Sequence, residues 1–106
     1  MVAAGVRGFK AFLCPSGIDE FPEAEAHDLL AAMPVLRALG GPRLAHAELE
    51  MPLSDAATRR VEDGDARDYA TYLHSRPPEW EDAAVALLVD LCRETGCPVH
   101  VVHLSS

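Results

Sequence analysis

One lysine and two histidines each lie at or near the carboxyl end of an apolar, strand-like segment. Lys10 lies in residues 8–12, His46 in residues 44–48 and His103 in residues 101–106. The carboxyl ends of parallel strands meet at one edge of an α/β sheet, where active sites are built. Imidazole is a common metal ligand, so this pattern predicts a metal site, and an incomplete one because the chain stops at the third segment.

Helical segments separate these three strands, and this order indicates βαβ units with a parallel sheet. We expect strands at residues 6–13, 43–47 and 98–104. The first has the composition of a strand that is buried on both faces. Side-chain alternation along the third places His103 on the face of Val101 and turns His100 to the other face.

Two longer helices should carry the crossovers, which are expected to be right-handed. The first begins near Pro22 or Asp28 and ends before the glycines at 40 and 41, with Pro34 expected to kink or split it. The second opens at residues 77–78 and ends at Gly96. The helical spacing of its apolar residues predicts a buried face formed by Trp80, Ala84, Leu87 and Leu91. Residues 51–70 form the least regular connection, with a short helix predicted at 55–61.

Length and charge exclude several classes of protein. The 106 residues suffice for one domain, and the formal net charge of -8 argues against nucleic acid and against anionic membrane surfaces as partners. No apolar run approaches the roughly 20 residues of a spanning helix, and we find no secretion signal. Three cysteines form no disulfide framework, so we expect a cytoplasmic protein.

Taken singly, the three polar residues also have structural interpretations. Lys10 fits a strand-end lysine whose ammonium group reaches solvent, and each histidine fits a hydrogen-bonded core residue. Arg76 is interpreted as a structural residue that pairs with an acidic side chain or holds its loop. A zinc site built from Cys92, Cys97, His100 and His103 is disfavoured, because its spacing matches no common closed zinc site.

Four segments resemble the cyclic amidohydrolases, and among them most closely the allantoinases. They are residues 5–22 around Lys10, the triplet 46–48, residues 69–77 and residues 99–106. They follow the family's order through nearly the whole chain. The resemblance implies a metal-dependent TIM barrel, of which residues 1–106 would be a central fragment without a second domain. The three strands would be the fourth to sixth of eight.

The same resemblance implies the ligands of a metal centre. Lys10 would be carboxylated and bridge two divalent ions, zinc in the simplest case, while His46 and His103 would bind one of them. The family's histidine pair and its general-base aspartate have no counterpart here, so no catalytic residue is assigned. Ser16 and Ser105 are the candidate substrate contacts.

The activity implied by the resemblance is hydrolysis of allantoin to allantoate in purine catabolism. The expected partner is a small cyclic ureide, and a homo-oligomer is expected for the full-length enzyme. Alternatives are a hydantoinase, dihydropyrimidinase or dihydroorotase, an inactive remnant, or an unrelated small α/β binding domain. Because only part of the metal shell is present, we expect the isolated chain to bind metal weakly and to turn over little or no substrate.

Overall fold

The computed structural model describes residues 1–41 and 43–106, and all elements named below lie within these ranges. After a 3₁₀ turn at Val2–Ala4, the described elements are β1 (Phe9–Phe12), α1 (Ala26–Ala38), β2 (Arg43–His46), α2 (Asp55–Glu62), α3 (Tyr69–His74), α4 (Pro78–Thr95) and β3 (Val99–Val101). The strands are all parallel and lie side by side in chain order. The predicted α/β class is therefore confirmed.

The register of the sheet fixes which side chains share a face. Lys10 pairs with Leu44, and Leu44 pairs with His100. Two residues further along, Phe12 pairs with His46. Side chains of paired residues in parallel strands point to the same side. All five residues therefore lie on one face of the sheet.

The opposite face of the sheet forms the core. It presents the buried residues Ala11, Leu13, Ala45 and Ala47. Small alanines allow helices to approach closely, and α1 and α4 fill this space with Leu29, Met33, Leu36, Ala84, Leu88 and Leu91. No described helix packs on the face of Lys10, which is exposed. The prediction that the first strand is buried on both faces is therefore wrong for the described chain.

Helix α1 begins with a capping box, in which Asp28 accepts a hydrogen bond from the Glu25 backbone at 3.0 Å and the Glu25 side chain accepts from the Asp28 backbone. Pro34 lies inside the helix but does not split it. Its side chain is exposed, while Met33 and Leu36 beside it are buried, so packing keeps the two halves together.

Helix α4 begins with Pro78 in its first turn and ends at Gly96, whose φ of 64° is the left-handed conformation that favours glycine. Its buried apolar side chains differ in one position from the predicted face. Leu88 is 2% exposed, whereas Leu87 is only partly buried against the core. The buried face follows the helical steps of four and three residues from Ala84 to Leu88 to Leu91.

The end of the third strand and the presence of one helix also differ from expectation. The third strand ends at Val101 and not at residue 104, and a turn follows it. Helix α3 was not expected, because its apolar residues Tyr69, Tyr72 and Leu73 are exposed and give no buried stripe. Asp68 caps it by accepting a hydrogen bond from the Ala70 backbone at 3.0 Å.

Among the described residues, we find no helix with the length and apolar character to cross a membrane.

Candidate metal centre

His46 and His103 lie side by side at the carboxyl edge of the sheet. Nδ1 of His46 is 3.0 Å from Nε2 of His103. His46 is the last residue of β2, and its position follows from the register. His103 has the same parity as Val101, which pairs with the buried Ala45, so a continuous strand would turn it towards the helices. The predicted shared face is wrong, because the strand ends and His103 adopts a φ of 42°.

Lys10 lies on the same face as His46 but further from the edge of the sheet. Its Nζ atom is 4.6 Å from the centre of the Phe12 ring. That ring also stacks on the imidazole of His46, with 5.0 Å between ring centroids. The structure thus joins Lys10 to the histidine pair through one aromatic side chain, while only the two histidines are in direct contact.

Glu48, a mostly buried carboxylate, contacts the side of the His46 ring that faces away from His103. Its Oε2 atom is 3.0 Å from Nε2 of His46, and its Oε1 atom accepts a 2.7 Å hydrogen bond from Arg76. Cys14 also donates its thiol proton to Oε2, with 3.7 Å between the heavy atoms. One side chain therefore joins the loop after β1, the end of β2 and the link between α3 and α4.

Charge and burial act against each other at this carboxylate. Burial alone would raise the pKa of Glu48, but the hydrogen bonds to His46 and Arg76, together with the Arg76 charge, lower it overall. The hydrogen bond to Glu48 raises the pKa of Arg76 in return. Burial first, and then the negative charge of Glu48, raise the pKa of the Cys14 thiol to about 11. Glu48 is therefore a carboxylate and Cys14 a protonated thiol at neutral pH.

Sequence reasoning placed Arg76 correctly as the partner of an acidic side chain, but it gave Glu48 no role. The signal for Glu48 was its spacing. Residues two apart at a strand end share a face, and the spacing of His46 and Glu48 fits this rule. Cys14 carried no comparable signal, since its contact with Glu48 spans 34 positions of the chain.

The two candidate substrate serines have different surroundings. Ser16 donates its hydroxyl proton to the carbonyl groups of Ile18 and Phe21, so it holds its own loop. Ser105 lines the same open cavity as the two histidines, and its backbone N–H donates to Glu81 at 3.0 Å. Of the two serines, Ser105 is the one that the structure brings to the site.

The cavity has a volume of about 450 Å³. Its floor contains both histidines and Glu48, and its wall is formed by helix α3 and the residues that follow it. The Tyr69 and Tyr72 rings stack in this wall, with 5.9 Å between their centroids. The Arg76 guanidinium lies 5.6 Å from the centre of the Tyr72 ring. The arrangement combines an aromatic wall with a small group of nitrogen and oxygen donor atoms.

The histidine pair fits a divalent metal ion. Two nitrogen ligands on one tetrahedral zinc ion, each about 2.0–2.1 Å from the metal, are about 3.4 Å apart. The observed 3.0 Å between Nδ1 of His46 and Nε2 of His103 is close to this separation. A proton on Nε2 of His46, donated to Glu48, leaves Nδ1 with a free lone pair for the metal.

Comparison with known proteins shows what this chain is similar to. Over all 106 residues, the chain is 46% identical to the mitochondrial allantoinase of Aquarana catesbeiana and spans 21% of its length. It is 45% identical over 103 residues to the allantoinase of Streptomyces avermitilis, of which it spans 22%. The chain is therefore similar to about a fifth of the length of each of these allantoinases. No family model matches it.

Solved structures place this allantoinase-like segment in a barrel. It superposes on the L-hydantoinase (dihydropyrimidinase) of Arthrobacter aurescens with a TM-score of 0.84 and 28% identity, covering 99% of this chain and 23% of that one. A D-hydantoinase of Bacillus sp. AR9 matches with a TM-score of 0.77 at 24% identity and supports the fold alone. The predicted partial α/β barrel is confirmed, and the segment spans about a fifth of the length of its relatives.

Proposed function

We propose that this chain supplies part of the metal centre of a hydrolase that opens the ring of allantoin to allantoate. The observation that carries the proposal is the histidine pair, with Nδ1 of His46 3.0 Å from Nε2 of His103. The 46% identity to an allantoinase over the whole chain supports the substrate. The substrate class is therefore a small cyclic ureide, for which the 450 Å³ cavity has room.

Two divalent ions, zinc in the simplest case, would lower the pKa of a water molecule and polarise the scissile amide carbonyl when bound. We assign His46 Nδ1 and His103 Nε2 as ligands of one ion. Lys10 would take up carbon dioxide: its neutral amine forms the C–N bond, loses one proton to solvent and becomes an anionic carbamate. Its place on the face of His46 supports this role.

Glu48 and Arg76 act on the ligands and not on the substrate. Glu48 accepts the Nε2 proton of His46 and so fixes the ring orientation in which Nδ1 faces His103. Arg76 holds the other carboxylate oxygen at 2.7 Å, which keeps Glu48 charged. Ser105 is the candidate substrate contact on the cavity rim.

A hydantoinase or dihydropyrimidinase is the second candidate, because the superposition on the L-hydantoinase covers 99% of the chain. The higher sequence identity to allantoinases favours the first. Dihydroorotase stays a third, weaker alternative. Three free cysteines support a reducing compartment such as the cytoplasm, and we propose a homo-oligomer for the complete enzyme.

A chimera tests the proposed activity in a complete enzyme. The matching segment of the Streptomyces avermitilis allantoinase is replaced by this chain, and allantoate formation is measured with zinc and bicarbonate present. We expect activity in the chimera, its loss with Lys10→Ala or His46→Ala, and no change with His27→Ala on the exposed start of α1. A folded chimera that hydrolyses hydantoin but not allantoin would establish the second candidate.

Zinc binding tests the histidine pair directly in the 106-residue chain. Calorimetry is performed on a Cys14→Ser background, which removes the nearby thiol as a competing ligand. We expect His103→Ala to abolish the zinc binding of this background, whereas His27→Ala leaves it unchanged. Equal zinc affinity with and without His103 would contradict the assignment.

A further inference from the structure

His46 and two neighbouring side chains form a cluster of potential metal-binding atoms on the side of the imidazole ring away from His103. They are Cys14 Sγ, His46 Nε2 and Glu48 Oε2, and these atoms all lie within 4.8 Å of one another. The sulfur is 3.7 Å and the imidazole nitrogen 3.0 Å from the carboxylate oxygen. On a tetrahedral ion with the bond lengths of zinc, these separations would be about 3.6 and 3.4 Å. The three donors are thus spaced for one cation.

The surroundings hold these donors in place without a metal. Cys14 is 3% exposed and the Glu48 side chain 14%. Arg76 binds Oε1 of Glu48 and leaves Oε2 facing the thiol and the imidazole. A thiolate is a soft ligand, so a site of this composition selects thiophilic ions over magnesium or calcium.

We propose that Cys14, His46 and Glu48 form a second site, for a thiophilic divalent cation such as Cd²⁺, whose occupation prevents metal binding by the His46–His103 pair. On binding, the thiol proton of Cys14 leaves to solvent, and a bond forms between the sulfur and the cation. The exclusion, but not the site itself, rests on the proposed function.

The exclusion follows from the chemistry of a neutral imidazole, which carries one ring proton. A cation on Nε2 of His46 moves that proton to Nδ1. Nδ1 then donates its hydrogen bond to Nε2 of His103, 3.0 Å away, and both nitrogen lone pairs of the histidine pair are used. A cation bound to one ring nitrogen of His46 therefore prevents a cation from binding to the other ring nitrogen.

Cadmium titration of the full 106-residue chain tests the site through the ultraviolet charge-transfer absorption of a cadmium–thiolate bond. We expect one Cd²⁺ per chain, loss of the band in Cys14→Ser, and its retention in the matched control Cys92→Ser on α4. A band that persists in Cys14→Ser would overturn the proposal. X-ray absorption of the wild-type complex gives an independent measure: one sulfur ligand is expected, and two or more would overturn it.

Nitrogen NMR of the histidine rings tests the exclusion. On addition of Cd²⁺, we expect Nε2 of His46 to show the shift of a metal-bound nitrogen and Nδ1 that of a protonated one. Cadmium on Nδ1 would overturn the exclusion. His103→Ala should keep the cadmium–thiolate band, since His103 is no ligand of this site. Failure of zinc binding at the histidine pair with the cadmium band intact would reject the proposed function and leave the second site standing.

Discussion

His46 and His103 contact each other although strand alternation assigns them to opposite faces of the sheet. Val101 pairs with Ala45 on the helix-covered face, and His103 follows Val101 by two residues. The early end of β3 and a φ of 42° at His103 reverse the direction of its side chain. One left-handed residue therefore completes the histidine pair.

This conformation predicts a difference between two substitutions at position 103. Asn tolerates the left-handed region, whereas Val, with its branched Cβ, is disfavoured there. We expect His103→Val to unfold more easily than His103→Asn by about 1–2 kcal/mol, the cost of left-handed backbone for such a residue. Urea denaturation of the two variants measures the difference. Equal stability would show that the turn does not depend on residue 103.

The ion pair between Arg76 and Glu48 should contribute to stability. We expect Arg76→Gln to lower the free energy of unfolding by about 1–3 kcal/mol, because a mostly buried carboxylate loses a charged donor. Arg93→Gln is the matched control. Its partner Asp90 is 3.3 Å away and both side chains are about three-quarters exposed, at 77% and 75%. Such a pair is worth about 0–1 kcal/mol, so a loss as large as that of Arg76→Gln would contradict the argument.

Stability should depend on pH through Glu48. The pKa of Glu48 is lower in the folded chain than its ordinary value, so the folded state binds fewer protons here than the unfolded state. The stabilisation is then fully present above the ordinary carboxyl pKa of about 4.3 and is lost as the pH falls through the lowered folded value. Denaturant unfolding of wild type and Glu48→Gln should differ at pH 7 and converge in acid. A constant difference would exclude Glu48 as the source.

The thiols should react with alkylating agents at different rates. Burial and the Glu48 charge raise the pKa of Cys14 to about 11, so its reactive thiolate is scarce at neutral pH. Burial also raises the pKa of Cys97. We expect iodoacetamide to modify the half-exposed Cys92 before the two buried cysteines in the native chain, and all three in denaturant. Mass spectrometry of peptides over time gives the order.

Adjacent leucines in α4 should differ in their contribution to the core. Leu88 is 2% exposed, and Leu88→Ala is expected to cost about 2–5 kcal/mol through lost contacts and a cavity. Leu87 is only partly buried, so Leu87→Ala should cost clearly less. Thermal unfolding of the two variants provides the comparison. A larger loss at Leu87 would mean that the sequence-predicted face is the buried one.

The sequence predicted the order of strands and helices because apolar runs, helix caps and glycines act locally. Helix α4, for example, follows from Pro78 at its start and Gly96 at its end. The proposed metal ligands were selected from their place at strand ends and from the family resemblance. Their roles as ligands remain predictions.

Two features of the site were beyond sequence reasoning. The side-chain direction of His103 depends on one backbone dihedral, which no periodic pattern encodes. The contacts of Glu48 with Cys14 and Arg76 bridge 34 and 28 positions, so they depend on how separate loops approach in the folded chain. Helix α3 was missed for a different reason, since its apolar residues face the cavity and solvent and not the core.

The two histidines should respond differently to a change in chain length. Deleting one residue within β2 would exchange the two faces of that strand, bringing His46 to the helices and Ala45 to the open side. The backbone N–H of Val102 still donates to the Ala45 carbonyl at 3.0 Å, so an added residue after Val102 would leave the register of the sheet unchanged and displace only His103. Insertions and deletions are therefore expected to be excluded from β2 during divergence, and a change of length beside His103 is expected to break the histidine contact without disturbing the sheet.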